Sequence, residues 1–122
     1  MGMTEIRLKL PYPPSVNHYW KHGRGRAWIG EKGQKYRKDV RNILLIDGFD
    51  PYKPITGNIK IDVYMYPPDR RKRDADNIIK AVFDALQHAG LYKDDYQITG
   101  FAVTRLERVA GGYLDVRIMS LD

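Results

Sequence analysis

The chain has 122 residues, 43% hydrophobic and 30% charged, which is enough apolar material for a core, too much for wholesale disorder, and a length that reads as one domain over residues 1–122. Twenty-one Lys and Arg against fifteen Asp and Glu give a net charge of +6 and a pI near 9.5, which favours polyanionic partners. Without cysteine, disulfides, thiolate metal sites and cysteine nucleophiles are excluded, and with neither a signal-like apolar run nor a membrane-length apolar stretch the chain reads as soluble and cytoplasmic, without membrane contact.

Residues 4–10 alternate, with Ile6, Leu8 and Leu10 on one side, the period of a half-buried strand; Pro11, Pro13 and Pro14 end it. Residues 15–33 carry Gly23, Gly25, Gly30 and Gly33, with Tyr19, Trp20 and Trp28 set among Lys21, Arg24 and Arg26. This reads as a long loop or irregular hairpin of the kind that is usually functional. Over residues 31–46, Tyr36, Val40, Ile43 and Leu44 recur at helical spacing under a cationic outer face of Lys32, Lys35, Arg37, Lys38 and Arg41, and Asp47-Gly48 ends the helix.

Residues 58–66 alternate again through Ile59, Ile61, Val63 and Met65, a second strand closed by Pro67-Pro68. A polar block, DRRKRDADN, leads into a helix from about 75 to 89 with Ile78, Ile79, Val82, Phe83 and Leu86 as its stripe. Asp74 or Asp76 would cap its start, and Gly90 stops it. A connection, LYKDDYQ, precedes a strand over about 98–107, a Gly111-Gly112 turn and a last strand through Leu114, Val116 and Ile118. The order β, loop, α, β, α, β, β predicts a small α+β fold, a two-layer sandwich with a mixed sheet and helices mainly on one face.

The segment richest in chemistry is Arg70-Arg71-Lys72-Arg73-Asp74-Ala75-Asp76-Asn77, with Lys80 one turn on. Its carboxylates suit a hard divalent cation such as Mg²⁺, and its cations suit phosphates. Asp76, Lys80 and Asp84 follow at i, i+4 and i+8 and so share one polar face; Asp94-Asp95 lies where the chain turns back and offers a further acid. The same residues also fit plainer roles: a helix cap, an i, i+4 ion pair, a polar turn, and, for Asp84, ordinary helix solvation. His18, His22 and His88 lack a zinc pattern, and none is assigned a metal. Lys21, Arg24 and Arg26, interleaved with Tyr19, Trp20 and Trp28, resemble a nucleic-acid surface, while the aromatics equally suit packing of the loop onto the core.

The string PDRRKRDADNIIKAVFDALQHAGLYKDDYQI, with upstream PYPPSVNHYWKHGRGR and EKGQKYR, closely resembles the RusA family of phage-derived Holliday-junction resolvases over nearly the whole chain. The resemblance implies that Asp74, Asp76 and Asp95 are metal-binding catalytic carboxylates, that Lys80 is the catalytic lysine, and that Asp94 assists. It further implies a homodimer that uses Mg²⁺, or Mn²⁺ in its place, to nick four-way junction DNA and leave 5′-phosphate and 3′-hydroxyl ends. Ala75 and Tyr92-Lys93 depart mildly from the family pattern without touching a proposed ligand.

The residues agree with that implication, because in-line hydrolysis of a phosphodiester needs charge neutralisation and an activated water. Arg70, Arg71, Lys72 and Arg73, with Lys21, Arg24 and Arg26, are the expected DNA contacts. A junction has approximate two-fold symmetry and needs two nicks, which favours a C2 dimer. The rival readings are a non-catalytic basic DNA-binding or architectural protein, and a metal-dependent nuclease acting on another branched or duplex substrate.

Overall fold

A computed structural model describes residues 5–121. Strand β1 runs Glu5–Pro11; the first residue of the strand expected from position 4 lies outside the described residues. Then come a one-turn helix α1 (Val16–Tyr19), β2 (Trp20–Gly23), β3 (Arg26–Ile29) and α2 (Glu31–Ile46). Strand β4 (Ile59–Tyr66), helix α3 (Ala75–His88), a 3₁₀ turn (Asp95–Gln97), β5 (Ile98–Arg105) and β6 (Tyr113–Ser120) complete the order. The mixed sheet and helical layer expected of an α+β fold are present.

The sheet order is β1-β6-β4-β5. β6 pairs antiparallel with both β1 and β4, whereas β4 and β5 are parallel. The turn at Gly111-Gly112 therefore closes no hairpin: β5 and β6 flank β4 from opposite sides. Parallel neighbours need a crossover, and α3 supplies it.

The inner faces of the sheet bury Leu8, Leu10, Ile61, Val63, Met65, Leu114, Val116 and Ile118. Against them α3 lays Ile78, Ile79, Ala81, Val82, Ala85 and Leu86, and α2 lays Tyr36, Val40 and Leu44. Phe83, expected in the stripe, stands at its edge, half-buried, with its ring edge-on to Phe101 of β5 at 5.3 Å between centroids. The period of 3.6 places residue 83 at the margin of a stripe centred on residues 78, 82 and 85.

Residues 15–33 are more ordered than a long loop. β2 and β3 form a hairpin in register Trp20↔Ile29 to Gly23↔Arg26. Its two-residue turn, Arg24-Gly25, has positive φ at both positions (50° and 76°), the combination that matches strand twist. Of its aromatics, Tyr19 is fully buried, Trp20 packs on the core and Trp28 is 48% exposed, so packing and surface roles are divided between them.

The hairpin is seated on α2 through Gly33. A Cβ there would lie 2.5 Å from the Tyr19 carbonyl oxygen and 2.8 Å from the Ile29 Cγ2. Backbone cannot yield as a flexible side-chain tip does, so Gly33→Ala should destabilise the chain by about 1–3 kcal/mol. A lower denaturant midpoint at unchanged m-value is the expected result.

Candidate active site

Strand β4 delivers the chain through Pro67-Pro68 into the basic loop, and the loop is organised by Asp69. Asp69 accepts two hydrogen bonds from the Arg73 guanidinium (2.7 and 2.9 Å) and one from the Arg71 backbone N–H (2.9 Å). Those bonds, Arg73 first, hold its carboxyl well below the usual range. Arg73 also lies over the Tyr12 ring, 5.4 Å from its centroid. Its charge is thus engaged inside the loop, while Arg70, Arg71 and Lys72 face solvent. Lys21, Arg24 and Arg26 are exposed on the hairpin, remote in sequence from this loop.

Asp74 occupies the N-cap position of α3 with extended backbone (φ −75°, ψ 130°), but its side chain makes no capping hydrogen bond. Its carboxylate is therefore left for another partner; it lines a shallow hollow with Lys72, Asn77 and the Tyr12-to-Val16 segment. Asp76, in the first turn, is exposed.

Lys80, Asp84 and Asp95 line a second hollow together with Trp20, His22, Phe83 and Gln87. Trp20 and His22 alternate along β2, which is why both reach it. His22 reaches the hollow through hairpin packing, which has no local signature, whereas Gln87 stands seven residues after Lys80 on α3 and so shares its face. The acid pair is resolved by turn chemistry. Asp94 caps the 3₁₀ turn by accepting from the Tyr96 N–H (2.9 Å), and Gln97 Oε1 accepts from the backbone N–H groups of Lys93 (2.9 Å) and Asp94 (3.1 Å). That capping box leaves Asp95 free to line the hollow.

The turn is fixed to α3 by Gln87, which donates to the Lys93 carbonyl (2.9 Å), and by buried Tyr92, whose hydroxyl donates to the Phe83 carbonyl (2.7 Å). Partial burial pushes the Asp95 carboxyl up, the nearby Tyr92 hydroxyl opposes this, and the charges of Asp94 and Asp84 push it up further.

Asp84 is not an ordinary solvated helix residue. The Arg37 guanidinium grips it with two bonds (2.8 and 2.9 Å), and the Tyr19 hydroxyl donates to it at 2.5 Å. Burial alone would raise its carboxyl, but the bonds from Arg37 and Tyr19 outweigh burial and hold it low. Arg37, read from sequence as part of the outer cationic face, is turned inward by this pair.

The acids are thus divided along α3. Asp76 and Lys80 are four residues apart and Asp76 and Asp84 eight, about 6 and 12 Å along the axis. Among the described residues no three His, Asp or Glu side chains converge as a preformed metal cage. What these residues fit is a hard cation held by one or two carboxylates, with waters and substrate phosphate oxygens filling its other positions, the usual habit of Mg²⁺.

The profile of the family described as Endodeoxyribonuclease RusA matches residues 11–119. The chain is 42% identical over 120 residues to the crossover junction endodeoxyribonuclease rusA of Enterobacteria phage HK97. It is 40% identical over 119 residues to that of Enterobacteria phage 82 and 39% over 119 residues to that of Escherichia coli strain K12. In each case 98% of both chains is covered.

Asp84→Asn keeps the side-chain shape but leaves Arg37, with 23% side-chain exposure, without its counter-charge. It should cost about 1–3 kcal/mol of stability. Because the folded chain holds this carboxyl below its ordinary value, the contribution is complete above the unfolded pKa, near 4, and fades as pH falls through the folded value. Urea midpoints of parent and variant should differ by a constant amount from about pH 5 to 8 and converge at lower pH; a gap that stays open in acid would contradict the ion pair.

Proposed function

Because the chain belongs to the RusA endodeoxyribonuclease family, we propose that it is a crossover junction endodeoxyribonuclease that resolves four-way DNA junctions by paired symmetric nicks in recombination and repair. The observation that carries this reading is likeness at 39–42% identity over 98% of the chain to proteins of that description. A prophage origin and a cytoplasmic location accord with the phage relatives and the DNA substrate; no described helix is long and apolar enough to cross a membrane.

Asp74 and Asp76, at the start of α3, and Asp95, beside Lys80, are the residues that would hold Mg²⁺, or Mn²⁺ in its place. When bound, the cation supplies Lewis-acid neutralisation of the phosphoryl oxygens. The chain's own residues do the rest. Exposed Arg70, Arg71 and Lys72 hold backbone phosphates and bring the scissile group to the start of α3. Arg73 and Asp69 keep the loop in shape, so the loop needs no ordering when DNA arrives. Lys80 presents an ammonium that no carboxylate within the described residues takes up. It is placed to stabilise charge that develops on the phosphoryl group. Asp95, whose carboxyl is pushed up, is the acid with most to gain from a nearby cation, and the capping box keeps it directed at the reacting region.

A homodimer follows from the substrate. Two nicks across a junction of approximate two-fold symmetry need two sites at fixed separation, which an isologous C2 pair provides. Doubling the chain also doubles its positive charge of +6 along the DNA.

The deciding experiment is incubation with a synthetic four-way junction, linear duplex and single strand, each with Mg²⁺ and with EDTA. The expected result is paired nicks in the junction with Mg²⁺ alone. Equal binding in EDTA with no nicking in either condition would favour an architectural protein, and preferential cutting of flaps or duplex a different nuclease. Asp76→Asn should keep fold and junction binding, since the side-chain shape is preserved and a charge that repels phosphate is gone. Nicking should fall by about a thousandfold or more. Lys80→Ala should lose comparable activity with a small loss of affinity. Cleavage by Asp76→Asn within about tenfold of the parent would remove Asp76 from the site. Sedimentation equilibrium at micromolar concentration should report twice 14.2 kDa without DNA; a species that stays monomeric on the junction would refute the dimer.

A further inference from the structure

A groove that shares no lining residue with the two hollows described above lies between the hairpin and α2. It is lined by Trp28, Gln34, Arg37, Lys38, Arg41 and His88, and no acidic side chain lines it. The neighbouring acids are already matched: Asp39 pairs with Lys35 at 2.8 Å and Asp84 with Arg37. Lys38 and Arg41 are exposed and, among the described residues, make no ion pair. They are one turn apart on α2 and therefore project side by side. Trp28 is 48% exposed at the groove wall, a large apolar ring left in water beside two unmatched cations.

The groove is continuous with the candidate active site. It shares Arg37 and His88 with an adjoining hollow that also contains Tyr52 and Lys93. That hollow in turn shares Asp84 and Gln87 with the hollow of Lys80 and Asp95. From Lys80 to His88 is eight residues of helix, about 12 Å. A track of that length accommodates a short run of backbone phosphates on one strand. Carboxylates along a DNA path normally repel it; here the one acid in mid-track, Asp84, is cancelled by Arg37.

We propose that this groove is a second DNA-backbone subsite. Lys38 and Arg41 take phosphates of the arm a few nucleotides from the scissile bond, and Trp28 packs on a sugar or base of the same strand. The proposal rests on the junction-nuclease reading and adds to it a grip on the arm away from the point of cleavage. A cationic rim supplies affinity that depends on salt, and an aromatic wall supplies affinity that does not. The two contributions are therefore separable by experiment.

The test measures junction affinity in Ca²⁺ across a salt series for the parent, Lys38→Ala/Arg41→Ala, Trp28→Ala and Trp28→Phe. The double variant should flatten the slope of log affinity against log salt by about 1.8, two phosphate contacts at about 0.9 each. Trp28→Ala should weaken binding about tenfold with the slope unchanged, and Trp28→Phe should restore most of it, since the phenyl ring still offers a face. Junctions carrying neutral methylphosphonate linkages in place of the arm phosphates a few nucleotides from the scissile bond should bind the parent more weakly than unmodified ones but bind the double variant equally. Melting temperatures of the double variant and of Trp28→Phe should match the parent, whereas Trp28→Ala gives up the buried half of its ring and is measured at a temperature where its own melting curve shows it folded. A double variant with the parent's slope and affinity, or with the parent's sensitivity to the neutral linkages, overturns the subsite. A parent that binds no junction overturns the junction reading and the subsite with it, whereas a parent that binds and nicks while the variants match it overturns the subsite alone.

Discussion

The contact on which the most depends is the grip of Arg37 and Tyr19 on Asp84. It adds a polar clasp to three helices that also pack on one another: α1, which carries the hairpin; α2, which carries the cationic outer face; and α3, which carries Lys80. Both partners of the ion pair keep about a quarter of their side-chain surface exposed, so the desolvation cost is far below that of a fully buried pair while the geometry is still fixed by three hydrogen bonds. Tyr19 lies at zero exposure beneath it, and its hydroxyl needs an acceptor. Asp84 provides one, and so keeps the hairpin base, with Trp20 and His22, against the face of α3 that bears Lys80.

Helix α3 then acts as a spacer. It connects β4 to a parallel neighbour, so it must run the length of the sheet, and its 14 residues cover about 21 Å. Charged groups at its start and along its outer face cannot collapse into one cluster, because the helix fixes their axial separations. The consequence is a graded site: free acids and cations where the helix begins, Lys80 and Asp95 further along, and Asp84 neutralised beyond them. With that spacing, the divalent cation proposed for this site would be held by one or two carboxylates, with water and phosphate oxygens completing its shell.

The positive excess is not spread evenly. On the open face of the sheet, Lys9 pairs across from Asp115 and Arg117 from Asp62, and Glu5 bonds Arg117 with Arg7 nearby. Tyr66 and Tyr113 stack at 4.4 Å there, with Lys9 over the Tyr113 ring. That face largely satisfies itself. Arg70, Lys72, Lys80, Lys38 and Arg41, exposed and in no ion pair among the described residues, belong to the helical layer and the loop that feeds it, the side that also carries the acids.

Strands at period two and helices at period 3.6 were legible in the sequence because each pattern is a local property of consecutive residues; α2 was bounded at the residue, with Asp47-Gly48 as its stop. The chemistry-bearing string at 70–80 was legible for the same reason, as charges packed beside a helix start. The hairpin was only half visible, since its Arg24-Gly25 turn departs from the commonest signal. What sequence could not decide was the use of each charge, because that depends on which side chains meet in the folded chain, whether the partner is near in sequence or far. Arg37 and Arg73 looked like free surface cations until Asp84, 47 residues away, and the folded loop around Asp69 claimed them. Asp94 and Asp95 are alike in charge, but the Asp94-x-x-Gln97 spacing is the local signal of a capping box, and the folded 3₁₀ turn uses Asp94 as its cap and leaves Asp95 lining the hollow of Lys80. Periodicity is written in the chain, whereas the pairing of charges is written by the fold, since Coulomb attraction and desolvation act through space and not along the sequence.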